Sequence, residues 1–477
     1  MGTSANFLFY LIPAILNPMI SFLMIPLTTA KLFPEQFGTF ALLSSFATLV
    51  VAFSSIGSGY IWAAHYLDLE QSERTAFVST LILAGMLACC FWAALLWLAW
   101  PLIQNYVGNL GEEAKRYYGI GLISAILSYP WYHAVDFLTL ERRARAFAYV
   151  GSIAALASAV VTLVCLYVLG QGTEALFWGL LASSLSFFAG AIVVLAPYLG
   201  VRFSARWVGE IIRRGLPTTP GNVMEPSTTV IERNILTANL SLYDLGLYTH
   251  SQSYRGMVGL GIKALARTVW PVSLGEAAEK SRDFPRTRGA WTPVFLLLTV
   301  GGLAWAGIGK EGVSILTHGR FTESAMYVTP WFLYTAIQNT GKEKVAILYL
   351  ANCGIFLTYA NLICQLISIG LILVLVPSIG IWGAIAAGIF QQLAFRTAIQ
   401  WKAQKVQESG FNDWPALLCL AFITAASAVQ ILFWNELSIR ILVSCALTMI
   451  YFSFLGVFCK RILLDLVELG RRSFQTL

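Results

Sequence analysis

Long apolar blocks, separated by short polar connections, run through nearly the whole chain. Each block has about 20 residues or more, and a helix of that length crosses the roughly 30 Å hydrocarbon core of a bilayer. A helix also satisfies its backbone hydrogen bonds within one segment, as lipid requires. The pattern therefore predicts an all-α integral membrane protein with about 14 transmembrane helices. The predicted spans are 7–30, 39–62, 77–103, 118–139, 147–169, 174–197, 215–237, 245–267, 291–313, 325–352, 355–376, 380–401, 414–434 and 439–462.

The composition supports this class and removes several others. Of 477 residues, 57% are hydrophobic and 12% are charged, whereas soluble proteins carry about 25% charged residues. A nucleic-acid-binding domain, a secreted disulfide scaffold and most soluble enzymes are therefore excluded. The chain also lacks the HExxH, Walker A and GxSxG motifs, so we expect no catalytic residues and no metal site.

Basic residues are distributed unevenly between the two sets of connections. If the N-terminus is cytoplasmic, the cytoplasmic connections and the C-terminal tail carry 21 Lys and Arg residues, and the opposite connections carry six. Cytoplasmic loops normally hold this excess, so both termini are predicted to be cytoplasmic. Four of the 31 cations fall outside both sets: Arg233, Arg255, Lys342 and Lys344.

The tenth span has two alternative ends, which decide whether Lys342 and Lys344 belong to a loop or to the membrane. A loop at 339–344 leaves helices of about 16 and 32 residues, which fit a bilayer poorly. A break at Asn352-Cys353-Gly354 gives helices of about 26 and 22 residues. We therefore predict a continuous tenth span whose inner half carries both lysines, where they would attract an anionic head group. In the alternative they are ordinary loop cations.

Two short sequence echoes indicate an internal duplication. Residues 35–40 (EQFGTF) match the pattern of 243–248 (YDLGLY), and residues 177–182 (FWGLLA) match that of 381–386 (IWGAIA). Both echoes are six spans apart, and an even offset gives the two halves the same orientation in the membrane. We predict an N-lobe at 1–198, a C-lobe at 199–404, and two additional helices with a cytoplasmic tail at 405–477.

The order and spacing of several motifs resemble a known transporter family. The motifs are residues 31–38, Gly215-Leu216-Pro217, Glu232-Arg233 before Asn234-Ile235-Leu236, residues 245–248 and residues 377–384. Together they resemble the polysaccharide transporter family, the O-antigen and capsule flippases of the multidrug/oligosaccharidyl-lipid/polysaccharide superfamily. The resemblance covers about residues 7–402. It departs at Glu232, where Asp is expected, and in the two additional C-terminal spans.

This resemblance implies both a fold and a substrate. The fold is two six-helix lobes around a central cavity that alternates between inward-open and outward-open states. The substrate is an undecaprenyl-pyrophosphate-linked oligosaccharide, a repeat unit of lipopolysaccharide O-antigen or exopolysaccharide, flipped across the bacterial inner membrane. We expect no cofactor other than a proton or sodium gradient. The expected partners are the lipid-linked oligosaccharide, membrane lipids and other polysaccharide-assembly proteins, with no nucleic acid among them.

Glu225 and Arg255 are charges near the predicted midplane of the membrane. At 1.5 Å per residue each lies about 15 Å from the start of its span, and a charge at that depth costs at least a few kcal/mol. In one interpretation the two residues form a fixed ion pair. In the other, the planar guanidinium of Arg255 binds the lipid-linked pyrophosphate, and Glu225 couples transport to an ion because burial and nearby charge control its protonation.

Span 7 carries further candidate residues around Glu225. Pro217, Pro220 and Pro226 interrupt backbone hydrogen bonding, which predicts a hinge or, alternatively, a kink that packing requires. Near the outer end of the span, Glu232 and Arg233 are predicted to form a gate or a latch between the lobes. Arg233 is also a candidate substrate ligand, and a solvated helix end is the alternative for the pair.

Two other spans supply the remaining candidates. On span 8, Tyr248 lies on the same polar stripe as Arg255, at helical spacing, and is predicted to line the cavity. On span 4, Asp136 is a second candidate for ion coupling. His133 on the same span is interpreted as a satisfied packing histidine.

Three alternative functions stay open at this point. An ion-coupled multidrug antiporter of the same superfamily would favour cavity carboxylates over Arg and Lys, whereas a lipid II flippase would satisfy the same charges as the oligosaccharide flippase. A membrane polysaccharide polymerase would need a sizeable outer loop with acidic catalytic groups. The longest predicted outer loop has only about 14 residues, so we predict a transporter rather than an enzyme.

Overall fold

Helices account for nearly all of the chain that the structure describes. The computed structural model describes residues 16–17, 19–107, 110, 113–141, 143–200, 203–351, 353–408 and 414–458. Within these ranges there is no β-strand, and the predicted all-α class is confirmed. The helices are α1 (Met19–Thr29), α2 (Pro34–Ser54), α3 (Ser58–His65), α4 (Gln71–Leu98), α5 (Trp100–Val107), α6 (Ala114–Leu140), α7 (Ala144–Tyr167), α8 (Glu174–Leu195), α9 (Ala205–Glu210), α10 (Thr219–Asn239), α11 (Leu242–Ala278), α12 (Pro285–Leu316), α13 (Val328–Asn339), α14 (Lys342–Leu350), α15 (Gly354–Ile379), α16 (Ile381–Val406), α17 (Trp414–Leu432) and α18 (Leu437–Phe458).

Most described residues of the predicted spans lie on helices, but the second span (39–62) is interrupted at 55–57, between α2 and α3, and the third (77–103) is interrupted at Ala99, between α4 and α5. Residues 7–15 of the first span and 459–462 of the last lie outside the described residues. Among the residues described, eight helices are long and apolar enough to cross a membrane: α2, α4, α7, α8, α12, α15, α17 and α18. The long helices α6, α10, α11 and α16 are less apolar because they carry polar and charged residues, Asp136, Glu225, Arg255 and Arg396 among them. Such residues are costly in lipid, so these helices are expected to face protein or water.

One of two compact units contains the N-terminal helices. It comprises Met1–Thr249 together with Ile372–Ile381. Its core is an aromatic cluster in which Trp62, Tyr66, Phe77, Phe137 and Trp207 are buried. Lipid is as apolar as these side chains, so close packing, rather than removal from water, stabilises this core.

The second unit comprises His250–Leu371 and Trp382–Leu477. In it, α12 packs on α17 and α18 through Leu303, Phe422 and Tyr451. Arg440 near the start of α18 donates a hydrogen bond to Glu311 near the end of α12, and its side chain is fully buried. The two additional C-terminal helices are thus attached to α12 by apolar packing and by an ion pair. The lobe boundary at 198/199 stays a prediction.

The tenth predicted span is two helices rather than one. α13 ends at Asn339 and α14 begins at Lys342, with Gly341 in the left-handed region at φ 63°. The prediction of a continuous helix is therefore wrong, because glycine adopts this conformation at no steric cost and ends α13 there. The break before Gly354 is confirmed, since α14 ends at Leu350 and α15 begins at Gly354.

Helix α14 is nevertheless enclosed by the C-terminal unit. Ile347 lies in one apolar cluster with Phe284, and Leu348 lies in another with Leu357 and Ile399. Lys344, in the first turn of α14, has no exposed surface. The structure differs from both sequence alternatives. The predicted continuous span is interrupted at Gly341, and Lys344 is buried rather than a solvated loop cation.

A buried carboxylate holds the turn between α11 and α12. Glu276 accepts hydrogen bonds from the backbone N–H groups of Arg286 (2.8 Å) and Thr287 (3.0 Å), and from the Thr287 hydroxyl (2.7 Å). These amides belong to the first turn of α12, where no intrahelical partner exists. Glu276 therefore caps α12 from the preceding helix, and its negative charge is favourable at that helix terminus.

We expect Glu276→Ala to destabilise the protein by about 2 kcal/mol, because it leaves buried amide donors without an acceptor. The thermal unfolding midpoint in detergent should fall. Glu279→Ala is the matched control, since Glu279 is exposed and only three residues away. Equal midpoints for the two variants would contradict the capping role.

Candidate functional site

The first pair of sequence echoes meets physically in the N-terminal unit. A methyl group at Gly38, on the first echo, would overlap the carbonyl oxygen of Leu242, and one at Gly246, on the second, would overlap that of Pro34. Pro34 and Leu242 are the first residues of α2 and α11, and each glycine lies four residues further along. The same contact is therefore made twice, in reciprocal form, by the repeated segments. Only glycine permits this approach of the two helix starts.

The predicted gate residues lie close to this crossing. Arg233 on α10 donates a hydrogen bond from Nη1 to the carbonyl oxygen of Ala41 on α2. Tyr248 on α11 is buried, and its hydroxyl donates to the Glu232 carboxylate. Glu232 and Arg233 thus contact different neighbouring helices and link α10 to both. The contacts suit a latch at the start of α2 and α11, and the gating role itself stays a prediction.

The three prolines occupy different kinds of backbone. Pro217 lies in the 3₁₀ turn Leu216–Thr218, which follows the π-helical turn Ile211–Gly215. Pro220 lies in the first turn of α10, where a missing N–H costs nothing, whereas Pro226 lies inside α10 and removes a helical hydrogen bond. Irregular backbone therefore precedes α10, and the hinge role of the prolines stays a prediction. Glu225, just before Pro226, has an exposed side chain.

His133 is a satisfied packing histidine within an ordered hydrogen-bond chain. Trp62 Nε1 donates to His133 Nδ1 (3.0 Å), so the ring proton lies on Nε2, which donates to the Tyr129 hydroxyl (3.1 Å). That hydroxyl donates to the carbonyl of Ser54, the last residue of α2 (2.8 Å). Asp136 lies one turn further along α6, half-buried, with Oδ2 facing Gly59 at the start of α3.

In the C-terminal unit, Arg255 lies on an aromatic platform formed by Trp331 and Tyr334. Its guanidinium carbon is 5.0 Å from the Trp331 ring centre and 4.0 Å from that of Tyr334. The platform is held in place because Trp331 Nε1 donates to Ser251 Oγ (3.0 Å) and Gln392 Nε2 donates to the Tyr334 hydroxyl (2.9 Å). A cation is attracted to the face of an aromatic ring, and a guanidinium also carries five N–H donors that suit an anion.

A basic cluster lies at the α13–α14 break, and it contains a residue that the sequence analysis missed. Arg396 on α16 donates from Nη2 to the carbonyl of Gln338 in the last turn of α13, four residues before Lys342 at the start of α14. Lys344 Nζ is 3.7 Å from Glu343 Oε1. From sequence, Arg396 counted as a cytoplasmic loop cation because it lies near the end of the twelfth span. Its spacing of four residues from Gln392 was the signal available.

The candidate substrate residues therefore separate into two groups. Arg255, Lys342 and Lys344 belong to the C-terminal unit, where Tyr334, which contacts Arg255, lies one helical turn before Gln338, the partner of Arg396. Arg233 and Tyr248 belong to the N-terminal unit, at the glycine crossing. Glu225 lies in the N-terminal unit and Arg255 in the C-terminal unit, so their pairing stays a prediction.

Sequence comparison identifies one family for this chain. A family model described as a polysaccharide biosynthesis protein matches residues 31–289, more than half of the chain. A search of curated proteins gave no match.

Solved structures with the same fold are membrane transporters. A structure described as lipid II flippase MurJ in an inward closed conformation has a TM-score of 0.70 and 13% identity, and covers 94% of this chain and 98% of that chain. An inward-facing multidrug resistance MATE family transporter of the MOP superfamily has a TM-score of 0.58 and 14% identity, with coverages of 82% and 94%. The eukaryotic MATE transporter AtDTX14 has a TM-score of 0.54 and 11% identity, with coverages of 88% and 98%. At these identities the likeness establishes the fold, that of a multi-pass membrane protein.

We expect Gly38→Ala and Gly246→Ala each to destabilise the protein by about 1–3 kcal/mol, because the added methyl group overlaps backbone that cannot move aside cheaply. Gly275→Ala is the matched control. Gly275 also lies in a helix, and a Cβ there meets no neighbour within 4 Å, so this variant should gain about 0.5–1 kcal/mol. Thermal unfolding in detergent measures all three, and a Gly38→Ala variant as stable as Gly275→Ala would show that the crossing is loose.

Proposed function

The chain belongs to the polysaccharide biosynthesis protein family, and from this premise we propose that it is a flippase. Its substrate is an undecaprenyl-pyrophosphate-linked oligosaccharide, a repeat unit of O-antigen or exopolysaccharide. The protein moves this lipid from the cytoplasmic to the periplasmic leaflet of the bacterial inner membrane by ion-coupled alternating access. The observation that carries the proposal is the stacked Arg255 beside a second group of cations.

This arrangement suits the chemistry of a lipid-linked sugar. Such a substrate joins a diphosphate to sugar rings, so its site needs both fixed positive charge and aromatic surface. Arg255 supplies a charge whose planar N–H groups match phosphate oxygens. Trp331 and Tyr334 supply aromatic rings next to that charge. Lys342, Lys344 and Arg396 extend the positive charge within the same unit.

We assign transport coupling and gating to the N-terminal unit. Glu225 is the proposed proton or sodium site, next to the irregular backbone around Pro217, Pro220 and Pro226. Asp136 is a second candidate for this role. The Arg233 and Glu232 contacts, together with the glycine crossing, would have to open when the transporter changes state, which is the role of a gate.

Two other substrates have support from specific observations. The fold likeness to the structure described as a lipid II flippase favours lipid II, which carries the same diphosphate. The MATE-like folds favour a multidrug antiporter, but a cationic drug would be repelled by the basic residues of the C-terminal unit. The short predicted outer loops, of about 14 residues at most, argue against a polymerase.

We expect a strain that lacks the protein to accumulate lipid-linked oligosaccharide on the cytoplasmic leaflet, and wild type to reverse this. Arg255→Ala should reduce flipping about tenfold or more, because a charge-assisted bond to phosphate is lost. Arg255→Lys should retain part of the activity. Lys405→Ala is the matched control, since Lys405 stacks on the exposed Trp401 ring at 3.8 Å, outside the proposed site. Normal surface polysaccharide in the deletion strain, with altered sensitivity to cationic drugs, would instead favour the antiporter.

We expect Glu225→Gln to uncouple transport from the ion gradient, because the amide cannot bind or release a proton or pair with sodium. In vesicles, flipping by wild type should fall when the driving gradient is collapsed. Flipping by Glu225→Gln should be slow and insensitive to the same treatment. A variant that responds to the gradient like wild type would remove Glu225 from the coupling mechanism and leave Asp136 as the candidate.

A further inference from the structure

The segment that leads into α10 packs along the short helix α3. This linking segment, residues 205–218, comprises α9, the π-helical turn and the 3₁₀ turn that follows it. Its buried residues Trp207 and Ile211 belong to the same apolar cluster as Ile61 of α3. The segment continues directly into α10, which carries Glu225 and the predicted gate residues. A movement of α10 therefore requires the linking segment to shift on α3.

One contact between the linking segment and α3 is made by backbone. The chain turns between α2 and α3 at Ile56, whose φ is 42°. A β-branched residue in this region is strained, and it persists only where its surroundings hold it. Gly215, at the end of the π-helical turn, lies against the Ile56 carbonyl, since a methyl group at Gly215 would lie 2.5 Å from that oxygen. Backbone thus packs closely on backbone just before α3 begins.

The contact at the other end of α3 depends on a titratable group. His65, the last residue of α3, has its Nε2 3.6 Å from Oε2 of Glu210, the last residue of α9. The same Glu210 oxygen is 2.9 Å from Nε of Arg214 in the π-helical turn. The His65 ring packs on Trp207, with ring centres 5.5 Å apart. The contact between His65 and Glu210 is therefore an ion pair only while His65 carries a proton.

Other charged and titratable groups on the neighbouring elements contact other residues. The groups on these elements are Glu210 and Arg206 on α9, Arg213 and Arg214 in the π-helical turn, Glu73 and Arg74 on α4, Tyr66 and Asp68 in the 3₁₀ turn after α3, and His133 and Asp136 on α6. The contacts away from His65 are Arg206 with Glu73, Tyr66 and Arg74 with Glu141, His133 with Trp62, and Asp136 with the backbone side of Gly59. Glu210 is the carboxylate that the His65 ring meets directly, and Arg214 shares it.

We propose that His65 and Glu210 form a pH-sensitive clasp, which holds the linking segment on α3 and slows the movement of α10 when the adjacent solution is acidic. Histidine changes its charge between about pH 5 and 8, and protonation converts its contact with a carboxylate into a charge-assisted one. The clasp lies in the connection between the sixth and seventh predicted spans, on the predicted cytoplasmic side. The inference concerns regulation rather than cargo, and it rests on the proposed function only because α10 has to move during transport.

Thermal unfolding of the full-length protein in detergent tests the ion pair. The protonated pair exists only in the folded protein, so its stabilisation is present at about pH 5.5 and is lost as the pH rises through the titration of His65. The unfolding midpoint of His65→Gln should lie about 2 °C below that of wild type at the acidic pH, and closer to it at about pH 8.5. His318→Asn is the matched control, because His318 is exposed and Asn accepts its left-handed backbone, φ 53°. This variant should follow wild type at both pH values.

Hydrogen exchange of the backbone amides at 205–218 tests whether the pair holds the linking segment. After correction for the intrinsic pH dependence of exchange, protection in wild type should be about threefold greater at the acidic pH than at the alkaline pH. His65→Gln and Glu210→Gln should both lose this difference. His65→Lys keeps its positive charge over the whole range, so its protection should stay high at both pH values.

Flipping in vesicles tests the regulatory role. With acidic solution on the side of the linking segment, His65→Gln should flip lipid-linked oligosaccharide about threefold faster than wild type, the same factor as the loss of protection. At the alkaline pH the two rates should be equal. Both proteins experience the same gradient, so the comparison removes the effect of pH on the driving force.

The outcomes separate the clasp from the proposed function. Protection of 205–218 that does not change with pH in wild type, or that changes equally in His65→Gln, would overturn the clasp. Equal flipping by wild type and His65→Gln at the acidic pH would overturn its regulatory role. If His65→Gln fails to fold, a folded His65→Lys whose protection still follows pH like wild type also overturns the clasp. Protection that requires His65, in a protein that flips no lipid-linked oligosaccharide at either pH, would support the clasp and refute the proposed function instead.

Discussion

The cost of placing a charge among apolar helices shapes this structure more than any other constraint. A guanidinium cannot be left without partners at such a position, and it cannot lose its proton easily. Four buried or half-buried arginines meet the constraint in different ways. Arg233 donates to the Ala41 carbonyl, Arg255 lies on the Trp331 and Tyr334 rings, Arg396 donates to the Gln338 carbonyl, and Arg440 pairs with Glu311. The Arg440 pair holds helices together, whereas Arg255 and Arg396 keep capacity for an additional ligand.

Irregular backbone coincides with the residues that carry the proposed chemistry. The break at Gly341 begins the helix that carries Lys342 and Lys344, and the π-helical and 3₁₀ turns before α10 lead to Glu225. Each irregular segment leaves backbone groups without helical partners, which lipid cannot satisfy. Such segments persist only where protein, water or a ligand supplies those partners. The irregular backbone before α10 and at Gly341 therefore supports a functional role for the charged residues next to it.

The predicted duplication accounts for the contact between α2 and α11. Two related helix starts that approach each other reciprocally present the same residue to each other, so a close contact needs a small residue in both segments. Gly38 and Gly246 satisfy this requirement together, each against the first residue of the other helix. The similar six-residue segments 35–40 and 243–248 thus pack against each other, each glycine lying against the first residue of the other helix.

The sequence by itself determined the all-α membrane class, the approximate position of each described span and the family. These properties depend on local features, namely runs of apolar residues and short ordered motifs, which can be evaluated without knowing what lies nearby. It also singled out Arg233, Arg255, Lys342 and Lys344, because a charge in an apolar block is visible locally. Only the tertiary structure decided that Gly341 ends α13 inside the tenth span and that the Tyr248 hydroxyl donates to Glu232. It also decided that Arg396 lies at the α13–α14 break, where it donates to the Gln338 carbonyl. The physical reason is that the partners of a buried charge come from helices distant in sequence, and no hydropathy pattern states which helices meet.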